Sequence, residues 1–361
     1  MKKIVCIHLY NDFSGSPFVL SQSINILSKN NYIVDLYTSD TEGFLSDTKS
    51  NKFNVFYKRS NNKIGVLLFY LFSQFILFFK LLKYRNEDVI FYINTIMPFG
   101  AALAGKLLGI KVVYHIHETS IRPKLLKSFL KNIIGKTSNF NISVSKYLME
   151  SDKIKNIKSQ VVYNALPDAF VKKASLFKYL NNSENFTVLM ICSLKKYKGI
   201  NEFIEIANKC QENKKILFQL VLNATKDEID NFFQNISVPN NIVFYPSQKD
   251  VSVFYATASL VLNLSRVDQW VETFGMTILE AMNYGIPCIV PSIGGPVELV
   301  DSGTNGYCIS SYDIDKISTL ILKLAINEEL LLKLSFEAKT KAKLFSSDNF
   351  ENSILEIFGD V

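Results

Sequence analysis

Apolar residues in the first half of the chain fall in short runs separated by segments of helical period. Lys3–Leu9 is an apolar run of strand length, Ser16–Ser28 spaces its apolar positions as an amphipathic helix, and Ile33–Thr38 and Phe53–Tyr57 are further strand candidates. Strand Asp88–Ile93, helix Gly100–Leu108 closed by Gly109, strand Lys111–His117, helix Lys124–Ile134 and strand Phe140–Val144 continue the rhythm. Such alternation predicts a parallel sheet of six or more strands covered by helices. After strand Gln160–Tyr163, the segment Asn164–Asn185 loses periodicity and carries Pro167, which marks a linker.

The second half restarts the same pattern. Strands are expected at Thr187–Ile191, Phe218–Leu222, Ile242–Tyr245, Leu260–Leu264 and Pro287–Val290. Helices are expected at Gly199–Gln211, Asp227–Phe233, Val251–Thr257, Met276–Tyr284, Pro296–Val300, Ile314–Ala325 and Asp348–Phe358. The chain therefore reads as an α/β protein of two Rossmann-like, doubly wound domains, 1–168 and 186–345. A linker at 169–185 joins them, and a terminal helix in 346–361 packs back toward the first domain. Ligands of such sheets bind beyond the carboxyl ends of the strands, so two facing domains would enclose a central cleft.

One segment departs from the alternation. Between Lys63 and Lys80 runs the apolar GVLLFYLFSQFILFF, followed by Lys83 and Arg85. It is short of the ~20 apolar residues a membrane span needs and is interrupted by Ser73 and Gln74. A helix apolar all round is either a crossover helix inside a core or one laid on an interface.

Composition narrows the class. The chain has 361 residues, 48% hydrophobic and 20% charged, which excludes a disordered or collagen-like protein. Its five cysteines form no CxxC pair and read as thiols of a reducing, cytoplasmic compartment, and three histidines make a His-rich metal centre an unlikely design. The start, MKKIVCIHLY, reads as a first strand and not as a signal peptide. The net charge of +7 is scattered, so it gives no nucleic-acid footprint but leaves anionic lipid and phosphorylated small molecules as partners.

Four groups at strand ends are candidates for chemistry. In VETFGMTILEAMNYGIPCIVPSIGGPVELV, Gly275, Met276 and Thr277 offer backbone N–H groups at a helix start, suited to an anionic phosphate, with the carboxylates Glu272 and Glu280 on either side. By itself Glu280 reads more readily as an ordinary first-turn helix acid. Lys198, just before Gly199 at a strand-to-helix turn, is suited to a diphosphate, while Lys195 and Lys196 read as a solvated turn. His117 is the strand-end histidine of VVYHIHET, and His115 shares its face. Asn11–Pro17 holds only Gly15 and lacks GxGxxG, which argues against an NAD enzyme.

The run from Glu272 to Glu298, with Phe274-Gly275, Glu280-Ala281-Met282, Gly285, Pro287 and Gly294-Gly295 at fixed spacings, resembles the signature of family 4 glycosyltransferases. That resemblance implies the GT-B fold and retaining transfer of a sugar from a nucleoside diphosphate donor. It also implies no metal, Glu280 on the nucleotide ribose, and Glu272 on the donor sugar. Phe274, Gly275, Met276, Thr277 and Lys198 are implied at the nucleotide, His117-Glu118 at the transferred sugar and acceptor, and Gly15 near the leaving phosphate. Ser193 stands where the family usually carries an Arg. Together with the basic charge and the 64–85 segment, the resemblance implies a lipid-linked saccharide acceptor in O-antigen or capsule-type assembly, with the protein peripheral on the inner membrane face. A GT-B sugar-nucleotide epimerase or phosphorylase, or a non-catalytic glycan-binding scaffold, remain the alternatives.

Overall fold

The computed structural model describes residues 2–57, 62–177, 179 and 185–360. The chain divides into two compact units, Met1–Asn164 together with Asp348–Val361, and Ala165–Ser347.

In the first unit, β1 (Lys3–Ile7), β2 (Ile33–Thr38), β3 (Asn51–Asn54), β4 (Val89–Asn94), β5 (Lys111–Ile116), β6 (Phe140–Ser143) and β7 (Lys158–Val161) form a parallel sheet in the order β3-β2-β1-β4-β5-β6-β7. The order reverses between β1 and β4, which opens a crevice at their carboxyl ends. VIFYIN of β4 is buried at every position because helices cover both faces, so its apolar run does not alternate. Helix Ser347–Asp360 reaches this sheet, its Phe358 ring edge-on to Tyr92 at 4.9 Å.

Helix Lys63–Leu81 is amphipathic in reverse. Its Ser73 and Gln74 are the buried positions, along with Tyr70, Leu77 and Leu81. Gln74 Oε1 accepts from the Gly100 N–H at 3.1 Å, and a Cβ on Gly100 would lie 2.2 Å from the Gln74 carbonyl oxygen, so only glycine allows helix Phe99–Leu108 this close. The polar pair that looked like an interruption is thus the helix's anchor, and the apolar face is left exposed, Ile64 by 74%, Leu68 by 61% and Phe75 by 62%. Residues Ile64–Tyr84 are also long and apolar enough to cross a membrane by length and composition, against the shorter reading of the sequence.

In the second unit, β8 (Phe186–Ser193), β9 (Ile216–Asn223), β10 (Ile242–Tyr245), β11 (Leu260–Leu262), β12 (Cys288–Val290) and β13 (Gly306–Cys308) form a parallel sheet in the order β10-β9-β8-β11-β12-β13, reversing between β8 and β11. Its core joins Val188, Phe203, Phe218, Leu260, Ile289, Ile317 and Leu334.

Several elements differ from the sequence expectation. The segment expected to be irregular holds helix Asp168–Ser175, fixed by Phe170 against Tyr255 and Tyr284; residues 178 and 180–184 of the expected linker lie outside the described residues. The third strand is Asn51–Asn54 rather than Phe53–Tyr57. Strand Gly306–Cys308 and helices Lys146–Ser151 and Glu328–Ala342 were not expected. The last buries small residues, Ser335, Ala338 and Ala342, beside two leucines, so it shows little apolar periodicity.

Candidate active site

At the reversal point of the second sheet, the turn after β8 meets the segment after β11. Lys196–Lys198 form a single 3-10 turn, followed by Gly199 at φ +83° as the residue before helix Ile200–Cys210. A Cβ there would sit 2.2 Å from the Leu264 carbonyl oxygen, and the Arg266 N–H donates to the Tyr197 carbonyl at 2.8 Å. Both contacts tie the lysine turn to the segment that leads to Glu272. The result is an ion pair, Lys198 Nζ to Glu272 Oε2 at 2.7 Å, with about a fifth of each side chain exposed (19% and 20%). Burial opposes the Lys198 charge, but the charge of Glu272 and its hydrogen bond outweigh it and raise the lysine's pKa. Ser265 Oγ approaches the same carboxylate oxygen at 3.5 Å, and Tyr197 and Trp270 stack at 5.3 Å beside the ammonium.

The loop carrying Glu272 is clamped from β12. Gly295 N–H donates to the Glu272 carbonyl at 2.9 Å. Cβ atoms on Gly294 and Gly295 would lie 2.5 Å from the Glu272 carbonyl oxygen and 2.2 Å from that of Thr273, which explains the paired glycines. Gly275, at φ +114°, turns the chain into helix Met276–Asn283, whose first N–H groups have no acceptor within the helix. Phe274 turns its ring into the interior against Phe345, so only its peptide group belongs to the loop surface. One turn into the helix, Glu280 Oε2 accepts from the Tyr255 hydroxyl at 2.6 Å. Burial pushes the Glu280 carboxyl up to about 7, with the Tyr255 hydrogen bond acting the other way.

At the reversal point of the first sheet lies a different group. Asn94, the last residue of β4, donates from Nδ2 to the Ser16 carbonyl at 3.0 Å and contacts His8 Nδ1 at 3.1 Å, while its Oδ1 lies 2.8 Å from His117 Nε2. Because Ser16 fixes the amide orientation, Oδ1 must accept, and His117 carries its proton on Nε2. His115 stands beside it, ring centroids 4.3 Å apart, with Nδ1 2.7 Å from the Tyr92 hydroxyl. All three histidines of the chain thus meet. Burial lowers His8 to about 4 and His115 to about 3; His117 is pushed well below its ordinary value by burial and by its two neighbours. Glu118, its carboxylate accepting from the His117 N–H at 3.2 Å, is raised by burial to about 7.

The structure therefore brings Lys198, Glu272, Gly275, Met276, Thr277 and Glu280 together in the second unit, and holds His117 and Gly15 in the first. Gly15 opens helix Gly15–Lys29 with nothing within 4 Å of a Cβ, so sterics do not demand glycine there. Lys195 and Lys196 are exposed. Sequence reasoning missed Tyr255, Trp270 and Asn94 as site neighbours; that Trp270 is the single tryptophan of the chain was the one available signal. Among the described residues no cluster of three or more His, Cys, Asp or Glu is arranged to hold a metal.

Comparison with known proteins agrees with this fold. Residues 171–341 match the family described as glycosyl transferases group 1. A relative from Klebsiella pneumoniae, an uncharacterized 41.2 kDa protein in a cps region, is 24% identical over 96% of both chains. The N-acetyl-alpha-D-glucosaminyl L-malate synthase of Bacillus anthracis is 26% identical over 77% of this chain and 76% of its own. Among solved structures, Anabaena HepE in complex with UDP and glucose superposes over 100% of both chains with a TM-score of 0.78 at 19% identity, which shows the shared fold.

Proposed function

We propose that the chain, which matches the group 1 glycosyltransferases over residues 171–341 and shares the GT-B fold, transfers a sugar from a nucleoside diphosphate donor to a saccharide acceptor, with retention at the anomeric carbon. The observation that carries this reading is the meeting of Lys198, Glu272 and the Gly275–Thr277 helix start at the reversal point of one sheet. Lys198 and the helix N–H groups hold the diphosphate and stabilise its charge as the anomeric C–O bond breaks. They supply this charge in place of a divalent ion. Glu280 accepts from the ribose hydroxyls and Glu272 from those of the sugar, its carboxylate also favouring the cationic character of the transition state. The acceptor oxygen bonds to the anomeric carbon on the face the diphosphate leaves, and its proton passes to a phosphate oxygen. His117, neutral at physiological pH, serves as a hydrogen-bonding group toward a sugar and not as an acid.

The acceptor is proposed to be lipid-linked and to belong to cell-surface polysaccharide assembly, a setting supported by the cps-region relative. The exposed face of helix Lys63–Leu81, with Phe72 and Phe79 each 53% exposed and Lys80 at its end, would rest on an anionic bilayer.

Purified protein is incubated with a panel of nucleoside diphosphate sugars in EDTA, and donor loss is followed by mass spectrometry. One donor is expected to be consumed by the wild type and spared by Glu280→Ala; no consumption and no nucleotide binding would leave a saccharide-binding scaffold. In parallel, the wild type should float with anionic vesicles and a Phe75→Ser, Phe79→Ser variant should not. A wild type that never floats removes the membrane proposal alone.

A further inference from the structure

The two groups assigned to opposite ends of the donor, Lys198 to the diphosphate and Glu272 to the sugar, hold each other at 2.7 Å. An ammonium committed to a carboxylate cannot give its full charge to a phosphate until that carboxylate finds another partner. The two ends of a donor are not equal in this respect. A complete sugar nucleotide brings an anion for Lys198 and hydroxyl donors for Glu272. A bare nucleoside diphosphate brings only the anion and leaves the Glu272 carboxylate, four-fifths buried, beside a phosphate of like charge.

We propose that the Lys198–Glu272 pair is the closed form of the donor site, and that Glu272 acts as the residue discriminating the intact donor from the spent nucleoside diphosphate. On donor binding the phosphate replaces Glu272 at Lys198, and the released carboxylate takes up the sugar hydroxyls. After transfer the sugar is gone, Glu272 has lost its new partners, and its return to Lys198 displaces the product. This rests on the donor-site reading above and adds to it an opposition: the carboxylate that supports turnover weakens product binding. The surroundings suit an exchange of partners rather than a fixed structural pair. The lysine turn is held by backbone contacts at Gly199 and Tyr197, and the Glu272 loop by Gly294 and Gly295, so neither segment depends on the ion pair for its position. Trp270, whose ring centre lies 5.8 Å from Lys198 Nζ, reports locally on the exchange.

The test is calorimetric titration with UDP, GDP and UDP-glucose at pH 8, where a terminal phosphate is ionised, on wild type, Glu272→Gln and Lys198→Ala. Tryptophan fluorescence runs alongside, and melting curves establish that each variant is folded. Glu272→Gln is expected to bind the nucleoside diphosphate several-fold more tightly than wild type while turning over donor more slowly, so that its preference for intact donor over product falls. Lys198→Ala is expected to lose most affinity for both. If Lys198→Ala weakens binding but Glu272→Gln leaves UDP and GDP affinity unchanged or lowered, the exchange is wrong and the donor site stands. If the wild type binds none of the three, or Lys198→Ala binds as wild type does, the donor site itself is wrong.

Discussion

The two sheets each reverse strand order once, and the polar groups gathered at those two points are opposite in kind. At β8 and β11 the second unit keeps charges: Lys198 and Glu272 pair at 2.7 Å and stay partly open to solvent. At β1 and β4 the first unit removes charge: His8 and His115 are buried and lowered to about 4 and 3, and Asn94 ties His8 to His117 as neutral rings. The same topology thus builds two kinds of crevice. A paired lysine can be re-partnered by an incoming anion at modest cost when the ligand also brings hydroxyl donors for the released carboxylate. A neutral buried network has only hydrogen bonds to offer, and its members must remain satisfied by one another. The first arrangement suits a ligand that carries charge in and out, the second a fixed surface that meets hydroxyl groups.

That difference should separate turnover from stability. Lys198→Ala is expected to lower kcat/KM for donor consumption by about 100-fold, the scale of losing one preorganised group from a developing anion. Removing the pair whole, in a Lys198→Ala, Glu272→Ala variant, should change the melting temperature little, since no unpaired buried charge is left behind. Asn94→Ala should do the reverse in kind. It strips His8 Nδ1 and His117 Nε2 of their partner in the interior, which costs about 1–3 kcal/mol in denaturant unfolding. Equal stability losses in the double variant and in Asn94→Ala would mean that the two crevices are built on one principle after all.

The sequence made the charged crevice far more legible than the neutral one, for a physical reason. The charged crevice is built on special backbone, and special backbone leaves glycines: Gly199, Gly275 and Gly294 all have positive φ, so their spacing survives as a motif. The neutral network needs no unusual backbone at Asn94 or His8, only side chains that happen to meet across β1, β4 and β5, and nothing local marks that meeting. The same logic explains helix Lys63–Leu81. Apolar periodicity assumes that polar residues face water, whereas Ser73 and Gln74 are buried because Gln74 receives the Gly100 N–H. The alternation of strands and helices was readable because buried parallel strands are apolar at every position, as in β4. Helix Asp168–Ser175 was not, because it buries little beyond Ala174 and is held by aromatic contacts to distant residues.

A smaller effect tests whether the two crevices also answer to protons with opposite sign. Glu280 titrates near 7 because burial disfavours its charge, so in the folded chain it holds a proton that the unfolded chain, with an ordinary carboxyl, has released. Its contribution to stability is complete below the ordinary carboxyl value of 4.5 and is lost as pH rises toward 7. His8 and His115 run the other way. They are neutral in the fold and protonated when unfolded below 6.5, so their contribution is complete above 6.5 and is lost as pH falls toward about 4 and 3. Glu118 shares the sign of Glu280, so variants are needed to separate the terms. Under the role proposed for Glu280, donor binding isolates it more cleanly, because a ribose hydroxyl donates more strongly to a carboxylate than to the acid, and the diphosphate of an intact donor does not titrate in this range. The KM for donor should fall about tenfold between pH 6 and 8. Glu280→Gln, already neutral, should show a flat profile over the same range. A wild-type profile that is equally flat would mean that Glu280 is ionised throughout, and that the Tyr255 hydrogen bond, and not burial, governs its charge.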